Sequence, residues 1–501
     1  MPRPWQRWFG PVLIALTFLG LFATWSLGTA RYGGPDEPAH VLRAASAARG
    51  QLLGRSVDGL VGGFRAVEVP AALATGDPRC FRHDKRQAAT CALLDAGVSG
   101  LRTAATSAGT YPPWYYVMVG VPVRWLGDAA DVVWYRLVAA AWCAAAVAAA
   151  LVRARRTRVV MVIAAISPAS WFLFGVVNPN SLEIALAVLA WVGVERVRAA
   201  RRRPGEEALA ASELWWIGAP GALAIAIRPV SLVGVATMLI VLAVVARIDR
   251  RGWVRLLMAP LVAVAATLAW SIWSNVVVTD RRAASTLGPL ARFAHSAGGT
   301  AQTMRELAGS LGWLEFSAPW IAQAVWWAAV GMVGVAVWRR ADATRVAWSL
   351  IAVSTLGVPI VFETLLAGQS GFIWQGRYSI PTAIGLVIVG SSGDTLRPPS
   401  TWSRRSPALL AGGVALAEVL TFWSVLRRYA VGSTGSWLFR HATWHPRVAP
   451  LALIALNSLL VGWLVTAVIW FERSETGEAV GPKLKAVSTE LPERGRCRTK
   501  S

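Results

Sequence analysis

Asp36, Glu37 and His40 fall within PDEPAH, just beyond the first long apolar run of the chain. Asp36 and His40 are four residues apart, so a helix begun around Pro35 and Pro38 carries both on one face. A carboxylate and an imidazole so placed can orient a proton transfer or contribute to a divalent-cation site, Mg or Mn. Two carboxylates at a helix N-terminus also simply complement the helix dipole. A metalloprotease pattern is excluded, because Asp-Glu-x-x-His lacks the first histidine.

Arginines form the second set. Arg228 in AIAIRPVSL, Arg377 in FIWQGRYSIP, and Arg427 with Arg428 in SVLRRYAVG each abut the end of an apolar run. In the span order below they lie on the outer side, against the orientation preference of basic residues. Snorkelling to headgroups accounts for any one of them. Together they suit an anionic ligand, since the guanidinium fork matches phosphate oxygens. A third cluster is VVNPNSLEIAL, where Asn178 and Asn180 make a turn, Ser181 can cap the next helix, and Glu183 sits just inside a span.

The elements that must position these residues are apolar helices. The chain has 501 residues, 55% hydrophobic and 15% charged, with a mean hydropathy of +0.48. Such a composition excludes an ordinary soluble domain. The net charge of +23 resides in short arginine clusters between apolar runs, which points to membrane lipids and not to nucleic acid. Reading these runs as spans predicts an all-α polytopic protein with about twelve transmembrane helices. They are Phe9–Leu27, Val132–Val152, Val159–Val177, Leu182–Val197, Leu214–Ile227, Val230–Val245, Val254–Val278, Trp320–Trp338, Val346–Leu366, Tyr378–Val389, Ala408–Leu426 and Val448–Phe471.

With Tyr111–Leu126 kept as an interfacial or re-entrant helix, the basic connections RARRTR, ERVRAARRR, RIDRRGWVR, WRRADATR and RPPSTWSRR all fall on the cytoplasmic side with both termini. The membrane domain then covers residues 1–471, with outer segments at 29–131 and 279–319. A charged tail, 472–501, is expected to be disordered in the cytoplasm. The outer segments are too poor in strand pattern to stand as independent domains; TMRELAGSLGWL in the second suits a helix along the membrane. Cys80 and Cys91 are the only cysteines of the first outer segment, and an oxidising compartment favours their pairing. His441 and His445 read as part of an interfacial loop.

In order, GPDEPAHVLRA, YPPWYY, NPNSLEI, LGWLEFSAPW, WQGRYSIP and RRYAVG resemble a bacterial family of multipass proteins, domain of unknown function 2142, from about Gly34 to Gly432. That family is distantly similar to the glycosyltransferase C superfamily, which includes protein O-mannosyltransferases and lipid A aminoarabinose transferases. The resemblance implies a plasma-membrane fold of that type and a polyprenyl-phosphate-linked sugar as donor. The acceptor would be an envelope glycan, lipid or protein. It maps the superfamily's acidic residue of the first outer loop onto Asp36, beside Glu37. Its Pro-Pro helix maps onto Pro112 and Pro113, and its Arg-Tyr onto Arg377 and Tyr378. Where those transferases often carry an aspartate in the second outer turn, this chain reads Asn178-Pro179-Asn180, leaving Glu183 as the nearest carboxylate.

The expected activity is inverting sugar transfer. Asp36 acts as general base, Glu37 orients the acceptor, and His40 supports it or ligates a metal. Arg228, Arg377 and Arg428 hold the donor phosphate. Tyr111, Asn178, Asn180, Glu183, Gln375 and Tyr378 line the pocket with His40. Glu183, Glu363 and Glu418 are all placed towards outer span ends, which weighs against the first alternative, a transporter or flippase of a lipid-linked glycan. The second alternative is a non-catalytic scaffold for envelope assembly.

Overall fold

The computed structural model describes residues 4–57, 63–76, 78–92, 98–127, 131–154, 159–201, 211–274, 284–391 and 406–475. Its helices are α1 Pro4–Gly28, α2 Glu37–Ala47, α3 Ala71–Ala74, α4 Trp114–Arg124, α5 Val132–Arg153, α6 Val159–Ala164, α7 Pro168–Phe174 and α8 Pro179–Arg201. They continue as α9 Trp215–Ile227, α10 Ser231–Val245, α11 Arg250–Trp273, α12 Pro289–Gly298, α13 Thr300–Gly309, α14 Trp320–Trp338, α15 Ala343–Ser370, α16 Ile380–Ile388, α17 Ser406–Val431 and α18 Pro450–Glu475.

Every apolar segment named above is at least partly helical, but their lengths differ. Among the described residues, seven helices are long and apolar enough to cross a membrane, or eight if a bent pair counts as one span. Five of the expected spans do not reach that length and apolarity on their own. Val159–Val177 breaks into α6 and α7 at Ser167-Pro168, and α7 meets α8 at 120° across the Asn178 turn. Proline after residue 167 removes a helix donor, and the Asn178 side chain takes a local backbone N–H in place of a helical one. The α9, α10 and α16 segments are short apolar helices.

At the centre stands α8, buried except for Arg196, Ala199 and Arg201. Around it pack α5, α7, α9, α10 and α16, while α1 joins α5 to α17 and α18. The long connections gather at one end, here termed the loop face. There Arg55–Ser56, Arg65–Pro70 and Leu101–Thr106 form a small antiparallel sheet, β1-β2-β3, resting against α2. This sheet was not legible as strand pattern.

The expected interfacial helix is α4, opened by Pro112-Pro113 and flanked by exposed Trp114, Trp125 and Leu126. The expected helix around TMREL is α13, which leads into a hairpin of β4 Ser310–Leu311 and β5 Phe316–Ser317. Residues 472–475 continue α18, and the rest of the expected tail lies outside the described residues.

Candidate functional site

Between α1 and α2 the chain turns on Tyr32 and Asp36, both at φ 58 in the left-handed region. Aspartate tolerates that conformation better than most side chains, and here it leads directly into the helix N-terminus. The turn sends the two neighbouring carboxylates in opposite directions. Glu37 is wholly buried and receives Arg136 in a fork, Nε to Oε1 at 2.7 Å and Nη2 to Oε2 at 2.6 Å. It also accepts from the backbone N–H of Val177 at 3.0 Å and of Gly34 at 3.2 Å. Arg136 further donates to the carbonyls of Ser26, Thr29 and Ala30, the open end of α1. With all these bonds made inside the protein, Glu37 cannot orient an acceptor. It is a joint between α1, α5 and the turn before α8, and not the acceptor-orienting group expected from the sequence.

Asp36 faces the other way, its side chain 49% exposed, and accepts from Arg377 Nη2 at 2.6 Å. Burial alone would raise its carboxyl, but Arg377, His40 and Arg228 outweigh that and hold it below the usual aspartate value. Arg377 sits on a single 3-10 turn, Gly376–Tyr378, and is almost fully buried. Gly376 precedes it because a Cβ there would lie 2.5 Å from the Thr303 carbonyl oxygen. The Gly376 N–H is instead bound by Glu306 at 2.7 Å. Two Arg377 atoms, Nε and Nη1, are buried with no acceptor, as is Gln375 Oε1 with no donor. Stranded donors on a buried cation are costly, and an anion would satisfy them.

Arg228 closes the other side. Its guanidinium lies 4.6 Å from the centre of the Tyr378 ring, and that of Arg377 lies 5.4 Å from it. Arg228 pairs with Glu183 at 3.0 Å, and Glu183 is further held by Ser231 at 2.7 Å and Asn180 at 2.9 Å. Asn178 donates to the Pro35 carbonyl at 2.9 Å, pinning the turn before Asp36. Thus Asn178, Asn180 and Glu183 support the site from behind. His40 is buried, with Nδ1 3.0 Å from the Tyr116 hydroxyl and its ring 6.0 Å from Tyr111. Burial, with Arg377 and Arg228 adding to it against Asp36, pushes the imidazole down to about 3, so it is neutral at physiological pH.

Arg428 does not join this group. Its Nη atoms donate to the carbonyls of Gln87 at 2.5 Å, Phe81 at 2.6 Å and Asp84 at 3.1 Å, and to Glu315 at 3.1 Å. It holds the loop closed by the Cys80–Cys91 disulfide, which forms as the cysteine count suggested. Glu418 also departs from expectation: it lies mid-way along α17 and accepts from Trp25 and Asn457.

For a cation, the described residues offer no group of three His, Cys, Asp or Glu side chains. Asp36 and His40 are flanked by two guanidiniums that repel a metal ion, so this donor set does not fit one.

Arg136 was missed in the sequence, although a lone arginine one turn into VVWYRLVAAA is an intramembrane charge that must have a partner.

Two solved structures align with most of this chain. For ArnT from Cupriavidus metallidurans bound to undecaprenyl phosphate, identity is 13%, coverage is 93% of this chain and 77% of that one, and the TM-score is 0.45. For the oligosaccharyltransferase of Archaeoglobus fulgidus in the apo form, identity is 12%, coverage is 96% and 57%, and the TM-score is 0.32. No curated protein matches. Residues 19–386, which contain the Asp36 turn, α8 and Arg377, match the profile described as "Predicted membrane protein (DUF2142)", and the chain belongs to that family.

Proposed function

We propose that this protein transfers a sugar from a polyprenyl-phosphate donor to an envelope acceptor on the extracytoplasmic side of the membrane. The observation that carries the reading is Arg377, a buried cation whose Nη1 has no acceptor among the described residues, bonded to the half-exposed carboxylate of Asp36. In the proposed reaction the acceptor hydroxyl gives its proton to Asp36 as its oxygen bonds to the sugar C1. The C1–O bond to phosphate breaks from the opposite face, and the departing phosphate takes the electron pair. Arg377 and Arg228 stabilise that growing charge, while Tyr378, Tyr111 and Gln375 border the sugar. Asp36 is ionised at neutral pH, as a proton acceptor must be.

The test is Asp36→Asn in proteoliposomes supplied with labelled polyprenyl-phosphate sugars. Transfer is expected to vanish at unchanged expression, and full transfer by the variant removes the assignment.

A second reading, movement of a lipid-linked glycan between leaflets, draws on the 120° break between α7 and α8 beside Asp36. Labelled lipid crossing the bilayer without any sugar transfer would favour it.

A further inference from the structure

The disulfide-closed loop, Pro78 to Cys91, is more firmly built than its position at the surface requires. Cys80 and Cys91 close it, Arg428 grips three of its carbonyls from below, and its backbone is tied to the end of α17. Those ties are Ala89 N to Tyr429 O at 2.9 Å and Ser433 N to Lys85 O at 2.8 Å. At Gly432, φ 76, a Cβ would meet the Arg86 carbonyl oxygen at 1.9 Å, so the loop docks where only glycine fits.

What this rigid loop presents is charge. Lys85 and Arg86 are exposed and Arg82 is half-buried, and none of the three makes an ion pair among the described residues. The one acid within the closed loop, Asp84, accepts from the Arg86 backbone. Trp313 connects the loop to the site: the Arg82 guanidinium lies 5.3 Å from its ring, and its indole N–H donates to Tyr32 O at 2.9 Å, four residues before Asp36.

We propose that this loop is a docking ledge for an anionic polymer, which makes the acceptor an acidic envelope glycan. The acceptor part rests on the transfer reading above; the ledge does not. A membrane surface is the less favoured occupant. Membrane-binding loops join basic residues to exposed apolar ones, and here the apolar side chains between the two cysteines are buried, Phe81 and Ala89, or half-buried, Ala88. The neighbouring loop carries exposed Trp437 and Leu438 and suits the lipid better.

The experiment uses the full chain in nanodiscs of zwitterionic lipid, with polygalacturonate and neutral dextran as probes. Polygalacturonate is expected to bind, weakening as salt rises, and dextran is not. The triple variant Arg82→Gln, Lys85→Gln, Arg86→Gln is expected to lose about tenfold or more in affinity, as removal of three polyanion contacts predicts. Asp36→Asn is expected to bind polygalacturonate like the wild type, which separates the ledge from the chemistry. Equal binding of dextran, or undiminished polygalacturonate binding by the triple variant, overturns the proposal. Loss in that variant of attachment to phosphatidylglycerol vesicles alone overturns it in favour of a lipid contact.

Discussion

Glu37 has no access to solvent and one cationic partner, so removing Arg136 strands a buried charge together with three helix-end carbonyls. Arg136→Met is therefore expected to cost about 3–5 kcal/mol, read as a fall in unfolding midpoint in detergent. His40 makes a prediction with a sign. The unfolded chain takes up its proton below 6.5, while the folded protein, through burial and the two nearby arginines, does not until about 3. Its contribution to stability is full above pH 6.5 and is lost as pH falls towards 3, and His40→Gln should flatten that slope in pH-dependent unfolding. Asp36 and Arg377 were legible because each sits at a span boundary where its charge needs a reason. Glu37 was not separable from Asp36, since only the left-handed turn decides which neighbour points inward. Arg428 was misread because an arginine at a span end can serve a ligand or backbone carbonyls, and only the folded-back loop chooses.

The helix that carries His40 is held against α4 by close backbone approach. A Cβ on Gly120 would lie 2.1 Å from the Ala44 carbonyl oxygen, so the two helices touch there without side chains between them. Gly120→Ala should separate them at a cost of about 1–3 kcal/mol and loosen the His40–Tyr116 contact. Thermal unfolding of the variant, beside an exposed Gly298→Ala control that meets nothing within 4 Å, measures the first part. Hydrophobic periodicity located the helices well, since twelve apolar runs all carry helix. It overstated the crossings, because a run says nothing of a break such as Ser167-Pro168. It also overlooked the sheet, whose outer strand Leu101–Thr106 is largely exposed and so shows little buried alternation.

At the scale of the whole bundle, the end that carries the Asp36 turn is predicted to face the extracytoplasmic side. Glu315 in the β4–β5 hairpin reaches Arg428 at the end of α17, so the loops before α14 and after α17 share one face. Ala341, at the far end of α14, lies on the other. In intact cells, Thr434→Cys should react with a membrane-impermeant maleimide and Ala341→Cys should not; the reverse pattern would place the site in the cytoplasm. Within the bundle, the buried α8 has a consequence of its own. Protein, and not hydrocarbon, is the medium it meets, which is why it can hold Glu183, Glu195 and Arg198 along its length. A photoreactive probe dissolved among the acyl chains should therefore mark α11, α15 and α18 heavily and leave the 179–201 stretch blank. A mast hidden in this way is free to follow the demands of its neighbours while the surrounding staves answer to the oil.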